Sequence, residues 1–392
     1  MKALAAIRGS VGHGNIGGME LISHVVFKGL MKLGVELEVL TSCKSSSQTE
    51  IIVEFIDGVK YLYLPTTQPS KYCIEFHREI KAYYEHIKKD ISVIFSVSGA
   101  GSSLTKNAEK VPTVAWWHGT FLEEELDKVY KYQFIDGNSL SAFNVERLVV
   151  STILPRLFGG VLEDYQAFDY HVCISTYMQE ILKCYGIEPA RISLILNGIN
   201  EQFLKNLESL NPDKNSYKAE FGLSTSKIVL GLVGRMGEAK GEKLIKSLID
   251  KLPAEKFSFF FVGAKIDVND IEARGFEVKN ISLPHGEMGK AFKAMDIFVN
   301  PTLRLSGLDM TVLEAYLSGT DVVVSNLPQY KGFADELGLK LKFFDVGDAN
   351  SLEAAIKSPV KNEFKPEQLE KFSEDKMILS FYSLLENVRK KG

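Results

Sequence analysis

Apolar residues along this chain alternate between two spacings. Short β-rich runs are expected to be strands at Ala3 to Ile7, Glu36 to Leu40, Tyr61 to Leu64, Val93 to Val97 and Thr113 to Trp117. Between them, the stretches near Met19 to Leu33 and Tyr72 to Ile87 carry apolar positions at helical spacing, and Gly34 closes the first. The alternation restarts with strands at Ile228 to Val233, Phe257 to Val262, Val278 to Leu283, Ile297 to Asn300 and Asp321 to Ser325, and a helix from about Glu242 to Lys251. Strand and helix in turn imply a doubly wound α/β sheet in each half. Glu123 to Phe168 reads as mostly helical. Glu201 to Tyr217 turns polar and holds the breaker-rich run Asn211 to Ser216, which suits a linker. Lys365 to Lys391 reads as a helix-rich end.

The stretch Asp296 to Asn326 organises the second half: strand, loop, helix, strand. Pro301 ends the strand, and Met310, Leu313 and Leu317 resume with helical spacing before Gly319. Asp309 fits an N-cap, so the loop Leu305 to Leu308 leads into a helix N-terminus whose free amides favour an anion. Glu314 lies about one turn inside that helix.

Near the start, Gly12, Gly14 and Gly17 satisfy G-x-G-x-x-G between a strand and a helix, the placement required for dinucleotide binding. The acid expected about twenty residues on, at the end of the second strand, is missing. Thr41-Ser42-Cys43-Lys44 stands there, which leaves an NADP reading.

Composition narrows the classes. With 392 residues and 45% apolar content there is room for two or three cored domains. A net charge of -4 gives no overall pull toward nucleic acid, and none is expected as a partner. Cys43, Cys73, Cys173 and Cys184 form no C-x-x-C pair and suit reduced thiols. Met1 and Lys2 run straight into the first strand without a signal-peptide pattern, so a cytoplasmic location is expected. The longest apolar run, Leu148 to Leu162, carries Pro155 and Arg156 and is too short to span a bilayer, although peripheral membrane contact fits it. His285 is expected to be structural. No H-E-x-x-H or G-x-S-x-G supports a zinc protease or a serine hydrolase.

S-G-L-D-M-T-V-L-E-A, Ser306 to Ala315, resembles the E-G-F-G-L-x-x-L-E-A element of retaining nucleotide-sugar glycosyltransferases of the GT-B fold, the family 4 group. Four further stretches are similar to that family: G-G-x-E at Gly17 to Glu20, His118 after a strand, the Asn197-Gly198 exit, and V-G-R-x-x-x-x-K-G with Arg235 and Lys240. Ser306 stands where the family has its first glutamate, and Asp309 where it has its second glycine. A serine offers a neutral bond in place of charged hydrogen bonds worth roughly 1.5 to 3 kcal/mol each, so an unusual donor sugar is expected.

The resemblance implies an α/β chain of GT-B fold, with two Rossmann-like doubly wound domains facing a central cleft. These would be an acceptor-binding domain over 1–200, a linker over 201–217, a nucleotide-sugar-binding domain over 218–364, and a helical segment over 365–392 crossing back to the first. It implies that Arg235, Lys240 and His118 are catalytic, the two cations stabilising the leaving diphosphate and His118 bonding the donor sugar. Gly17, Gly18, Ser306, Gly307, Leu308, Asp309 and Glu314 would bind the donor, with Glu314 on the ribose. The chemistry implied is metal-free glycosyl transfer with retention, from a nucleotide-diphosphate sugar, UDP being the expected carrier, to a glycan, lipid-linked or small-molecule hydroxyl. No cofactor is expected. The absence of Asp-x-Asp fits a metal-free reaction. Three alternatives compete: a catalytically impaired nucleotide-sugar-binding subunit, an NADP-dependent oxidoreductase, and a sugar-nucleotide epimerase.

Overall fold

A computed structural model describes residues 1–14, 17–135, 146, 149–150, 154, 159–264, 266–305, 307–364 and 372–391. The chain forms two compact units. The first comprises Met1–Phe121, Val150–Gly198 and Glu374–Gly392, and the second Leu122–Val149 and Ile199–Ser373.

The first unit is built on eight strands: β1 (Lys2–Ala6), β2 (Glu36–Thr41), β3 (Ile52–Ile56), β4 (Val59–Tyr63), β5 (Val93–Val97), β6 (Thr113–Trp116), β7 (Tyr170–Cys173) and β8 (Ile192–Leu194). Their order is β3-β4-β2-β1-β5-β6-β7-β8, all parallel except the β3–β4 pair. That pair is a hairpin turned on Asp57 (φ 50°) and Gly58 (φ 86°), the left-handed pair that matches strand twist. Sequence periodicity locates part of β4 and misses β3, the edge strand I-V-E-F-I, whose Ile52, Val53 and Phe55 are exposed. Ser175 caps the helix Thr176–Cys184, accepting from the Met178 amide at 3.1 Å.

The final helix, Glu374–Lys391, packs in this first unit. It buries Met377, Phe381, Leu385 and Val388, spaced to share one face. Phe381 lies with its ring 4.6 Å from Trp116 and 5.5 Å from Phe95. Gly29 lets this helix approach the helix Gly18–Lys32, since a Cβ there would fall 2.5 Å from an Ile378 methyl.

The second unit carries β9 (Ile228–Val233), β10 (Phe257–Val262), β11 (Glu277–Ile281), β12 (Ile297–Asn300), β13 (Asp321–Ser325) and β14 (Lys342–Phe344), ordered β11-β10-β9-β12-β13-β14 and wholly parallel. Its core joins Leu230, Phe259, Phe261 and Val323 of the sheet to Ile245, Leu248 and Leu352 of the helices over it.

The units divide the chain differently from its reading as a sequence. Residues 201–217 are not a loose linker: Glu201–Glu208 and Lys214–Glu220 are helices of the second unit. Asn200 caps the first through the Gln202 and Phe203 amides, and Asp213, inside the breaker-rich run, caps the second through the Asn215 amide. Phe203 and Tyr217 are buried, so this polar-looking stretch has an apolar side. Leu122–Val149 also groups with the second unit, although its sequence lies in the first half. The Leu148 to Leu162 run falls largely outside the described residues. Among the described residues, no helix is long and apolar enough to cross a membrane.

Candidate functional site

In the second unit the strand order reverses between β9 and β12, which pair directly. Loops leaving the carboxyl ends of two such strands open a crevice where ligands of open α/β sheets bind. The loop after β9 carries Arg235 and Lys240, and the loop after β12 runs from Pro301 to Asp309.

Arg235 is exposed and pairs with no acid among the described residues. Lys240 ends a short turn, Glu238–Lys240, that is fastened to the neighbouring loop. The Leu303 amide donates to the Ala239 carbonyl at 2.9 Å, and Thr302 Oγ1 donates to the same oxygen at 3.4 Å. Gly241 permits this contact. Its φ is 79°, and a Cβ there would sit 2.3 Å from the Pro301 carbonyl oxygen.

Lys240 Nζ consequently reaches Asp309 and donates to both carboxylate oxygens, 2.6 Å from Oδ2. Asp309 Oδ2 also accepts from Asn300 Nδ2 at 3.0 Å and from the Tyr330 hydroxyl at 3.1 Å. Burial pushes the Asp309 carboxyl up, but the Lys240 charge and these three donors outweigh it and hold it below the usual carboxylate range. Burial, followed by the Asp309 charge, drives the Tyr330 phenol well above its ordinary value, so it stays a donor.

Asp309 precedes the helix Met310–Leu317 with an N-cap backbone (φ -76°, ψ 107°), but its side chain makes no cap hydrogen bond. The sequence expectation is thus met by the backbone and not by the carboxylate, because Lys240, Asn300 and Tyr330 draw the oxygens away from the helix amides. The loop before it is fixed at two further points. The Leu305 amide donates to Asp127 Oδ1 at 2.5 Å, and Gln329 Nε2 donates to the Arg304 carbonyl at 2.7 Å. Gly307 has φ 81°, and Leu308 is half-buried. Ser306 lies outside the described residues.

Glu314 is buried, 8% exposed, on the helix Met310–Leu317. Its Oε1 lies 3.0 Å from Nε2 of His285, a residue that sequence reasoning left without a partner. His285 opens a turn anchored by Asn206 Nδ2, which donates to the Gly286 carbonyl at 3.1 Å.

Gly17, Gly18 and His118 belong to the first unit. Glu20 turns back on the start of the helix Gly18–Lys32, its Oε2 accepting from the Gly17 amide at 2.9 Å. Gly12 owes its identity to packing, since a Cβ there would overlap the Tyr63 hydroxyl at 1.9 Å. Beyond β2, Ser42 Oγ donates to the Arg8 carbonyl at 2.8 Å and the Cys43 amide to Thr67 Oγ1 at 2.6 Å, so no carboxylate occupies the ribose position of a dinucleotide site. His118 is half-buried beyond the end of β6, its ring 4.3 Å from Trp116. Its Nε2 is buried without a hydrogen-bond partner among the described residues, and burial pushes its pKa down to about 3.

The fold therefore gathers Arg235, Lys240, Gly307, Leu308, Asp309 and Glu314 in one unit. Sequence reasoning missed Asn300, Tyr330, Asp127 and His285. Of these, Asn300 alone carried a signal: it is a polar residue at the carboxyl end of a strand beside the order reversal. Among the described residues, no group of three or more His, Cys, Asp or Glu is arranged to hold a metal ion.

Comparison with known proteins gives concordant matches. Residues 16–203 match the model for Glycosyltransferase Family 4, and residues 227–362 the model for Glycosyl transferases group 1. The O-antigen biosynthesis glycosyltransferase WclY of Escherichia coli is 24% identical over 249 residues, 60% of this chain and 67% of that protein. Sucrose-phosphate synthase from Thermosynechococcus elongatus superposes with a TM-score of 0.71 at 17% identity, covering 100% of both chains. Anabaena HepE in complex with UDP and glucose superposes with a TM-score of 0.59 at 15% identity, covering 100% of this chain and 98% of that one.

Proposed function

We infer, from the premise that this chain is a glycosyltransferase of GT-B fold using nucleotide sugars, that it transfers a sugar to a hydroxyl acceptor with retention at the anomeric carbon and without a metal ion. The observation that carries this reading is that Arg235 and Lys240 stand on the loop after β9, that Lys240 reaches Asp309 at the end of the loop after the neighbouring β12, and that Glu314 lies in the helix that follows.

A nucleoside diphosphate leaving group gains charge on its terminal phosphate as the glycosidic bond breaks. Arg235, which is exposed, and Lys240 are the groups that meet that charge, and neither exchanges a proton in doing so. Glu314, on the helix Met310–Leu317, accepts from the ribose hydroxyls. The backbone of Gly307, Leu308 and Asp309 lines the donor at the helix start. His118, kept neutral by burial, offers its ring nitrogen to a sugar hydroxyl.

In the retaining reaction the bond between the anomeric carbon and the phosphate oxygen breaks, and the acceptor oxygen bonds to the same carbon on the same face. The acceptor's proton passes to an oxygen of the departing diphosphate, so no protein base is required. UDP as the carrier is supported by the HepE complex, and a glycan hydroxyl as acceptor by the O-antigen role in the name of WclY.

The test is a thermal-shift panel with UDP, GDP, ADP and NADP, each with and without EDTA, because a ligand that binds only the folded state raises Tm. One nucleoside diphosphate should shift Tm equally in both conditions. The matching nucleotide sugar should then transfer to a saccharide with its anomeric configuration kept, read by NMR of the product. A shift with NADP alone, or an inverted product, would overturn the reading.

A further inference from the structure

Lys240 is engaged by a carboxylate. Its ammonium donates to both oxygens of Asp309, and that carboxylate is held a second time by two neutral donors, Asn300 Nδ2 and the Tyr330 hydroxyl. Those two are joined to each other, Asn300 Nδ2 lying 3.2 Å from the Tyr330 oxygen. Both are buried, Asn300 at 6% and Tyr330 at 1% exposure, so water competes little for them. A partly buried carboxylate that lost its only cation would be left as a costly unpaired charge. This one would keep two hydrogen bonds.

We propose that Asp309 is a positioning carboxylate that holds Lys240 until a diphosphate binds and then yields it, tempering diphosphate affinity, while Asn300 and Tyr330 hold the carboxylate after the ammonium leaves. This rests on the phosphate role of Lys240 given above. A ligand gains only the difference between its own ion pair with Lys240 and the one it breaks. A nucleotide whose phosphates do not reach the lysine gains nothing from it. Lys240 favours a diphosphate over the corresponding monophosphate or nucleoside, and its pair with Asp309 narrows that preference. The carboxylate that remains also repels the bound diphosphate, which lowers its affinity and assists its release after transfer.

Isothermal titration of the nucleoside diphosphate that shifts Tm, of its monophosphate and of its nucleoside tests this with four proteins: wild type, Asp309→Asn, Tyr330→Phe and Lys240→Ala. Asp309→Asn should tighten the diphosphate about tenfold, with little change for the nucleoside. Tyr330→Phe should weaken the diphosphate severalfold, because a carboxylate with one donor fewer holds the lysine harder, and this variant keeps the test decisive should Asp309→Asn not fold. An Asp309→Asn protein that binds the diphosphate no tighter than wild type would overturn the proposal, as would a Tyr330→Phe protein that binds it as well as or better than wild type. Lys240→Ala without loss of diphosphate affinity would instead remove the phosphate reading itself, whatever Asp309→Asn does.

Discussion

His285 Nε2 and Glu314 Oε1 lie 3.0 Å apart, and their side chains are unequally exposed, 54% for the histidine and 10% for the glutamate. The carboxylate sits in the helix face and the imidazole covers it from the solvent side. His285 thereby holds one oxygen of the Glu314 carboxylate in place.

Glu314→Ala is expected to weaken nucleotide binding about 10- to 100-fold, the loss of hydrogen bonds to one charged group, with Tm of the free protein changed little. His285→Asn, which keeps a donor, should cost much less than His285→Ala. Titration calorimetry with the nucleoside diphosphate measures both, and unaltered affinity in Glu314→Ala would remove its ribose role.

Lys240→Ala and Arg235→Ala should each lower kcat about 100- to 1,000-fold, the range for losing one preorganised donor to developing charge. Arg235 is exposed, so its replacement should leave the unfolding midpoint in place. Steady-state transfer assays with a circular-dichroism melt separate the two effects. Unchanged turnover would exclude the phosphate assignment.

Burial holds His171 near pKa 3, with the Arg191 charge a lesser contribution, and burial holds His118 near the same value. Above about pH 6.5 both are neutral in the folded and unfolded chains. Between about 6.5 and 3 only the unfolded chain takes up the protons, so stability falls with falling pH by up to about 1.4 kcal/mol per unit for each histidine. His171→Gln keeps an acceptor for the Trp117 indole, which donates to His171 Nδ1 at 3.1 Å, and removes the titration. Urea unfolding at pH 7, 6 and 5 should show a shallower pH dependence in that variant, and an unchanged one would refute the burial effect.

Gly241→Ala should destabilise the chain by about 1 to 3 kcal/mol, since φ 79° is left-handed and the methyl would press on the Pro301 carbonyl. Because the same contact carries Lys240 to Asp309, turnover should fall even at temperatures where the variant is fully folded. Normal turnover in folded Gly241→Ala would show that the contact does not position the lysine.

The sequence by itself determined the doubly wound halves, the positions of most strands, the loop that carries Arg235 and Lys240, and the helix that carries Glu314. These follow from periodicity and from the order of residues along single elements, which are local properties. It also marked Gly12, Gly14 and Gly17, but not their cause, because the Tyr63 hydroxyl that fills the space beside Gly12 comes from a distant strand. The division into units, with Leu122–Val149 assigned to the second, was decided only by packing, as was the helical character of 201–217. So were the partners of the site. Asp309 looks from sequence like a helix cap and in the folded chain is a counter-ion, because Lys240 and Tyr330, 69 and 21 residues away, converge on it and a charged pair outcompetes a backbone amide. His285 and Asp127 acquire roles the same way, by contacts across 29 and 178 residues that no spacing along the chain encodes.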